Sequence, residues 1–208
     1  MDRLPAVRRP LAAVAALAAL TLACGGGEKP ALSRSESVTA TASGSAPDPR
    51  RWCDVFYTDA DAPALALPRV EPARAGEAAP VLPADRWVWV NVWATWCGPC
   101  RREMPLLLRW HDRLGNDGRP FDLWFLSVDE RQQDLAQFLK ENPETAPGNS
   151  VRLAAPGGLE RWLAGFKGAP TGAIPLQVIA APGGRVRCIR AGALRDADYP
   201  VVKALLAP

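Results

Sequence analysis

The sequence holds one histidine, His111, and its five cysteines include a single Cys-x-x-Cys pair, Cys97 and Cys100. A structural zinc site takes about four Cys or His ligands. Only convergence of Cys53 and Cys188 on that pair would supply them, so no metal and no other cofactor is expected. Haem attachment needs a histidine directly after the second cysteine, and Arg101 stands there. His111 is read as a residue of a helix face. An excess of charge of one sign is also lacking. The formal net charge is +3, and Arg3, Arg8 and Arg9 against Asp2 account for two of those charges within residues 1–23. The remainder is too small for the basic footprint of nucleic-acid binding, so no nucleic-acid partner is expected. The apolar run LAAVAALAALTL (11–22) has twelve residues, short of the ~20 of a spanning helix.

A basic start followed by that run is the pattern of a signal peptide over residues 1–23. Next comes Thr21-Leu22-Ala23-Cys24-Gly25, which resembles the lipobox of bacterial lipoproteins, with threonine where leucine is usual. The resemblance implies lipidation at Cys24; plain secretory cleavage nearby is the alternative. Either route leads to an extracytoplasmic location, on the periplasmic side, where disulfides form. Residues 24–51 are rich in Gly, Ser, Pro and Ala, and are expected to be a disordered tether. As a flexible coil it would reach roughly 30 Å, holding the domain at a membrane by its lipid.

The folded domain is expected over 52–208, with an α/β architecture. WCDVFY (52–57) suggests a strand, and residues 58–84 an irregular stretch. The run WVWVNV (87–92) is apolar at nearly every position, as in a strand covered on both faces. A helix is expected from the cysteine pair to about Leu114, with Met104, Leu107, Leu108 and His111 on one face. FDLWFLSVD (121–129) suggests a second buried strand, residues 131–141 a helix, 149–154 a third strand and 158–166 a short helix. Residues 175–180 and 185–190 flank Ala181-Pro182-Gly183-Gly184, a hairpin turn signal. A last helix is expected over 196–206. The alternation implies a mixed β-sheet flanked by helices.

The cysteine pair sits where a buried strand gives way to a helix. Unpaired N–H groups and the helix dipole stabilise a thiolate at such a point, and the thiolate is the species that attacks a disulfide. Cys97 is therefore the expected nucleophile, open to an incoming disulfide. Cys100, one turn in, is the shielded resolving cysteine. Pro99 falls in the first turn, where its missing N–H costs little.

The stretch Trp96-Cys97-Gly98-Pro99-Cys100, with Pro105 five residues further on, resembles the active site of thioredoxin. The longer run NVWATWCGPCRREMP is most similar to the TlpA/ResA branch of membrane-tethered thiol–disulfide oxidoreductases. The resemblance implies a thioredoxin-like fold over roughly residues 62–206, with an N-terminal extension and an extra βα insertion. It implies a cis-proline facing the cysteines. Ala169-Pro170 and Ile174-Pro175 are the candidates, and Pro175 is preferred because a strand and a hairpin follow it. The 75 residues from Cys100 to Pro175 leave room for two strand–helix–strand passages of about 30 residues each, so the insertion is placed at about 149–168. Where thioredoxin carries a buried aspartate, this chain has Asn91, which cannot titrate. ResA-like members carry a glutamate three residues past the second cysteine; here that is Glu103, expected to tune the thiol pKa or relay the resolving proton, or else to be a solvated first-turn glutamate.

The resemblance further implies protein disulfide substrates, an apocytochrome c thiol pair among them as in cytochrome c maturation, and a membrane thiol-transfer protein as electron donor. A monomer is expected. The Gly98-Pro99 dipeptide is that of thioredoxin, whose potential is about −270 mV, and favours a reductase. A disulfide oxidase or isomerase is the rival within the class, and a binding or chaperone-like module with a structural Cys-x-x-Cys the rival outside it. Cys53 and Cys188 are assigned to a structural disulfide, the alternative being two separate buried thiols. Trp93 and Trp96 are expected to frame the motif as an apolar docking surface. Trp87, Trp89 and Trp124 are assigned to the core.

Overall fold

The structure, a computed structural model, describes residues 47–74, 76, 81–144 and 149–207. The expected signal peptide, Cys24 and most of the expected tether lie outside the described residues. At the centre is β3 (Trp87–Trp93), seven residues that are all buried except the half-buried Trp87. Its apolar residues have a partner layer on each side, which is why the run lacks polar alternation. β4 (Phe121–Ser127) lies parallel to it, with Trp87 opposite Phe121 and Trp93 opposite Ser127. β6 (Leu176–Ala181) lies antiparallel on the other side, with Val92 opposite Leu176.

Outside these run β5 (Ser150–Leu153), parallel to β4, and β7 (Arg185–Ala191), antiparallel to β6. Two short strands, β1 (Val55–Phe56) and β2 (Val70–Pro72), close the edges of a seven-stranded mixed sheet ordered β1-β7-β6-β3-β4-β5-β2. The hairpin turn between β6 and β7 places Gly183 at φ 89° and Gly184 at φ 68°, a conformation that glycine adopts without penalty.

The helices fill both faces. Trp89 and Trp93 pack with Met104, Leu107, Trp110 and Leu114 of α2 (Gly98–Asn116). The same layer takes in α3 (Gln132–Glu141), through Leu135, Phe138 and Leu139, and α5 (Tyr199–Leu205), which follows a 3-10 turn at Asp196–Asp198. On the opposite face Val88, Val90 and Val92 meet Leu159, Trp162 and Leu163 of α4 (Gly158–Leu163). β5 and α4 are the extra βα insertion, inside the span expected for it.

The N-terminal part departs from expectation. Trp52 does not open a strand: it ends a short helix, α1 (Pro49–Trp52), started by Asp48, whose side chain accepts the N–H of Arg50. Cys53 is the residue that caps this helix and is not part of a strand. The expected irregular stretch 58–84 contains β2, which pairs antiparallel with β5. Its three residues include Pro72, which cannot donate to a ladder and is tolerated at a sheet edge. No alternation marks so short a strand.

Candidate active site

β3 ends at Trp93 and the chain turns through Ala94, Thr95 and Trp96 into α2. Cys97 is the N-cap: its Sγ accepts the N–H of Cys100 at 3.2 Å. The two cysteines are joined in a disulfide with Cα atoms 5.3 Å apart. Cys100 is fully buried, whereas Cys97 keeps only 5% exposure. Both sulfurs are therefore buried in the disulfide form, and the expectation of an open Cys97 is not met here: it is only slightly more exposed than its partner. Beside it Trp96 is 69% exposed. Trp93 does not share this exposure. It is fully buried and its ring lies 5.4 Å from that of Phe138, so packing against α3 takes it out of any docking surface.

Among the described residues Ile174-Pro175 is the cis peptide bond, and Pro170 is not cis. Leu176 pairs with Val92, so Pro175 falls one step further along, at the end of β3 that leads to Cys97. Ile174, Trp96, Glu130, Leu159 and residues 154–157 line a groove of about 340 Å³ next to the motif.

Glu103 is 3% exposed, so it is not a solvated first-turn glutamate. Its Oε1 accepts Asn91 Nδ2 at 2.8 Å and Gln177 Nε2 at 2.9 Å, and its Oε2 accepts the N–H of Leu194 at 2.7 Å. Gln177 Oε1 accepts in turn from Trp89 Nε1 at 2.8 Å and Asn91 Nδ2 at 3.0 Å. Burial pushes the Glu103 carboxyl above its ordinary value; the three hydrogen bonds and the charge of Arg190 oppose this without cancelling it. A carboxyl whose pKa burial raises above its ordinary value is therefore held one helical turn from Cys100. The oxygen Oδ1 of Asn91 is buried without a partner.

Sequence reasoning missed Gln177, although a lone amide within LQVIA was a signal for a buried polar partner. It also missed Asp129 and Thr95. Asp129 accepts the backbone N–H and the hydroxyl of Thr95, and an acidic residue at the end of a buried strand was its trace.

Cys53 and Cys188 form a second disulfide, with Cα atoms 5.5 Å apart and a sequence separation of 135. They do not join the first pair in a metal site. His111 lies on the α2 face with its ring edge-on to Phe121 at 5.2 Å.

No protein-family profile matches the chain. Among solved structures, it is similar to a DsbF homologue from Corynebacterium diphtheriae, at 20% identity over 72% of this chain and 91% of that one, TM-score 0.54. A secreted thiol-disulfide isomerase from Corynebacterium glutamicum matches at 20% identity over 73% and 90%, TM-score 0.52. A thioredoxin-related protein from Neisseria meningitidis serogroup B matches at 22% identity over 66% and 98%, TM-score 0.50. These are likenesses of fold. The chain has a thioredoxin-like fold, with a Cys-Gly-Pro-Cys disulfide at the start of its longest described helix.

Proposed function

We propose that the protein is an extracytoplasmic thiol–disulfide oxidoreductase that reduces protein disulfides. The observation that carries this reading is the placement of Cys97. Its sulfur caps α2, accepts a backbone N–H, and has a fully buried partner thiol three residues on.

In the reduced protein the helix N-terminus favours a thiolate at Cys97. That thiolate attacks one sulfur of a substrate disulfide and forms a mixed disulfide with it, while the other sulfur leaves as a thiolate and takes up a proton. Cys100 then loses its proton and attacks Cys97 Sγ. The Cys97–Cys100 disulfide forms, and the second substrate sulfur leaves and is protonated. Two electrons have passed to the substrate, which ends as two thiols. Glu103, buried one turn from Cys100, is the group we assign to take the resolving proton. The exposed Trp96 and the groove beside Ile174 and Pro175 are suited to an extended substrate segment; Gly98 and Pro99 shape the first turn between the two sulfurs.

Continuous turnover needs a donor of two electrons, which we assign to a membrane thiol-transfer protein. Lipid at Cys24 would hold the domain within its reach, and the protein is proposed to act as a monomer without a bound cofactor. The Corynebacterium glutamicum protein of similar fold is described as secreted, in keeping with a location outside the cytoplasm.

Insulin reduction tests the reading. Wild type is expected to precipitate the insulin B chain with dithiothreitol as electron source, and Cys97→Ser is expected to be inactive. Equal rates in the two proteins would remove the catalytic claim. A measured potential near that of thioredoxin supports a reductase, and one well above it an oxidase or isomerase. Cys100→Ser should trap substrates as mixed disulfides; an apocytochrome c among them would place the protein in cytochrome c maturation.

A further inference from the structure

Asp129 stands just past the end of β4 and is 2% exposed. A carboxylate buried this deeply is tolerated only when hydrogen bonds replace its water. Its oxygens accept the backbone N–H of Thr95 at 3.2 and 3.0 Å, the hydroxyl of Thr95 at 2.6 Å and the hydroxyl of Ser127 at 2.7 Å. Ser127 Oγ in turn accepts the N–H of Asp129 at 3.0 Å. Thr95 lies in the turn that carries the chain from β3 to Cys97, with only Trp96 between. The carboxylate is therefore fastened to the approach to the nucleophile.

The other side of Asp129 is held as well. The buried guanidinium of Arg152, on β5, donates to the carbonyls of Asp129 at 3.2 Å and Glu130 at 3.0 Å. It also donates to Gln132 Oε1 at 2.8 Å and Glu71 Oε2 at 2.6 Å. Gln132 Nε2 reaches the carbonyl of Ala73 at 2.9 Å. A polar chain thus runs from edge strand β2, through Arg152 and Asp129, to Thr95.

We propose that Asp129 is a positioning residue: by gripping Thr95 it keeps Cys97 in the N-cap position of α2 and Trp96 beside the groove, with Arg152 bracing the grip from β5. The inference rests on the disulfide-exchange reading of the cysteine pair. Two opposing effects separate it from a plain charge effect. Removing a negative charge near a thiol lowers the thiol pKa. Releasing the turn loosens the capping geometry that stabilises the thiolate, and so raises it.

The test is the pH profile of iodoacetamide alkylation of Cys97 in the reduced protein, read peptide by peptide by mass spectrometry, with thermal melts run alongside. Asp129→Ala is expected to move the Cys97 profile to higher pH and to slow alkylation near neutrality about fivefold, the scale of one lost capping interaction. Thr95→Val keeps the carboxylate, loses one hydrogen bond, and should shift the profile the same way by about twofold; Thr95→Ser should restore it. An unchanged profile or one moved to lower pH, in a variant that still melts cooperatively, overturns the proposal. Should Asp129→Ala not fold, the Thr95 pair decides alone. None of this requires turnover. A wild type inactive on insulin would sink the exchange reading, while the alkylation profile separately decides the grip.

Discussion

Asn91 Nδ2 lies 2.8 Å from Glu103 Oε1, so the amide of the central strand donates to the carboxylate of α2 inside a sealed layer. The titratable group of this layer sits on the helix, and the strand supplies a neutral donor that holds it.

Glu103 should give the protein a particular pH dependence. Its pKa is raised in the folded state by burial, so the folded chain binds more protons than the unfolded one over the interval between the two values. The contribution is fully favourable below the ordinary glutamate value of 4.5 and is lost as pH rises through the raised one. Urea unfolding at a series of pH values should show this decline, and Glu103→Gln should flatten it. The same variant should lose an inflection in kcat/KM over that range.

Asn91→Asp places a second carboxyl against the first. Two buried carboxyls this close cannot both ionise without large cost. The variant is expected to be less stable than wild type at neutral pH, by about 3–5 kcal/mol on the scale of a buried unpaired charge, and to recover as the solution is acidified. Urea midpoints at neutral and acidic pH check it. Equal stability at neutral pH would mean that the carboxyl layer is wetter than the packing implies.

Trp96→Ala tests the docking surface without touching the core. The side chain is 69% exposed, so stability should change by less than ~0.5 kcal/mol. KM for a protein disulfide should rise about tenfold, the cost of removing an exposed aromatic anchor. Steady-state kinetics on insulin separate this from a fall in kcat, which would instead assign Trp96 to the chemistry.

Replacing both Cys53 and Cys188 by serine should lower stability by ~3–5 kcal/mol, since the bond closes a loop of more than a hundred residues in the unfolded chain. Denaturation curves with and without reductant measure it, and intact mass under non-reducing conditions confirms the bond. At temperatures where the double variant stays folded, the Cys97–Cys100 couple should keep its potential.

What could be read from the residues follows the range of the interactions. The Cys-Gly-Pro-Cys turn, the Gly183-Gly184 hairpin and the two-sided strand, expected over 87–92 and found at Trp87–Trp93, are fixed by neighbours in sequence. The partners of Glu103 are not local. Asn91 and Gln177 face each other only because β3 and β6 pair in one register, which no short window reveals. Trp93 looks like a companion of Trp96, yet one turns in toward Phe138 and the other out, a choice made by where α3 lands. β2 has no period of its own; its place beside β5 is marked by Arg152 meeting Glu71.

The Cys53–Cys188 bond also decides how the molecule bears mechanical load. A pull on the chain ahead of Pro49 would otherwise fall on β1, two residues long and the easiest strand to unzip. Because Cys53 precedes β1 and is welded to β7, the strain bypasses that edge and enters the sheet at an interior strand. The domain can be tugged from its N-terminal side without the end strand peeling away, because the load is handed to β7 at the disulfide.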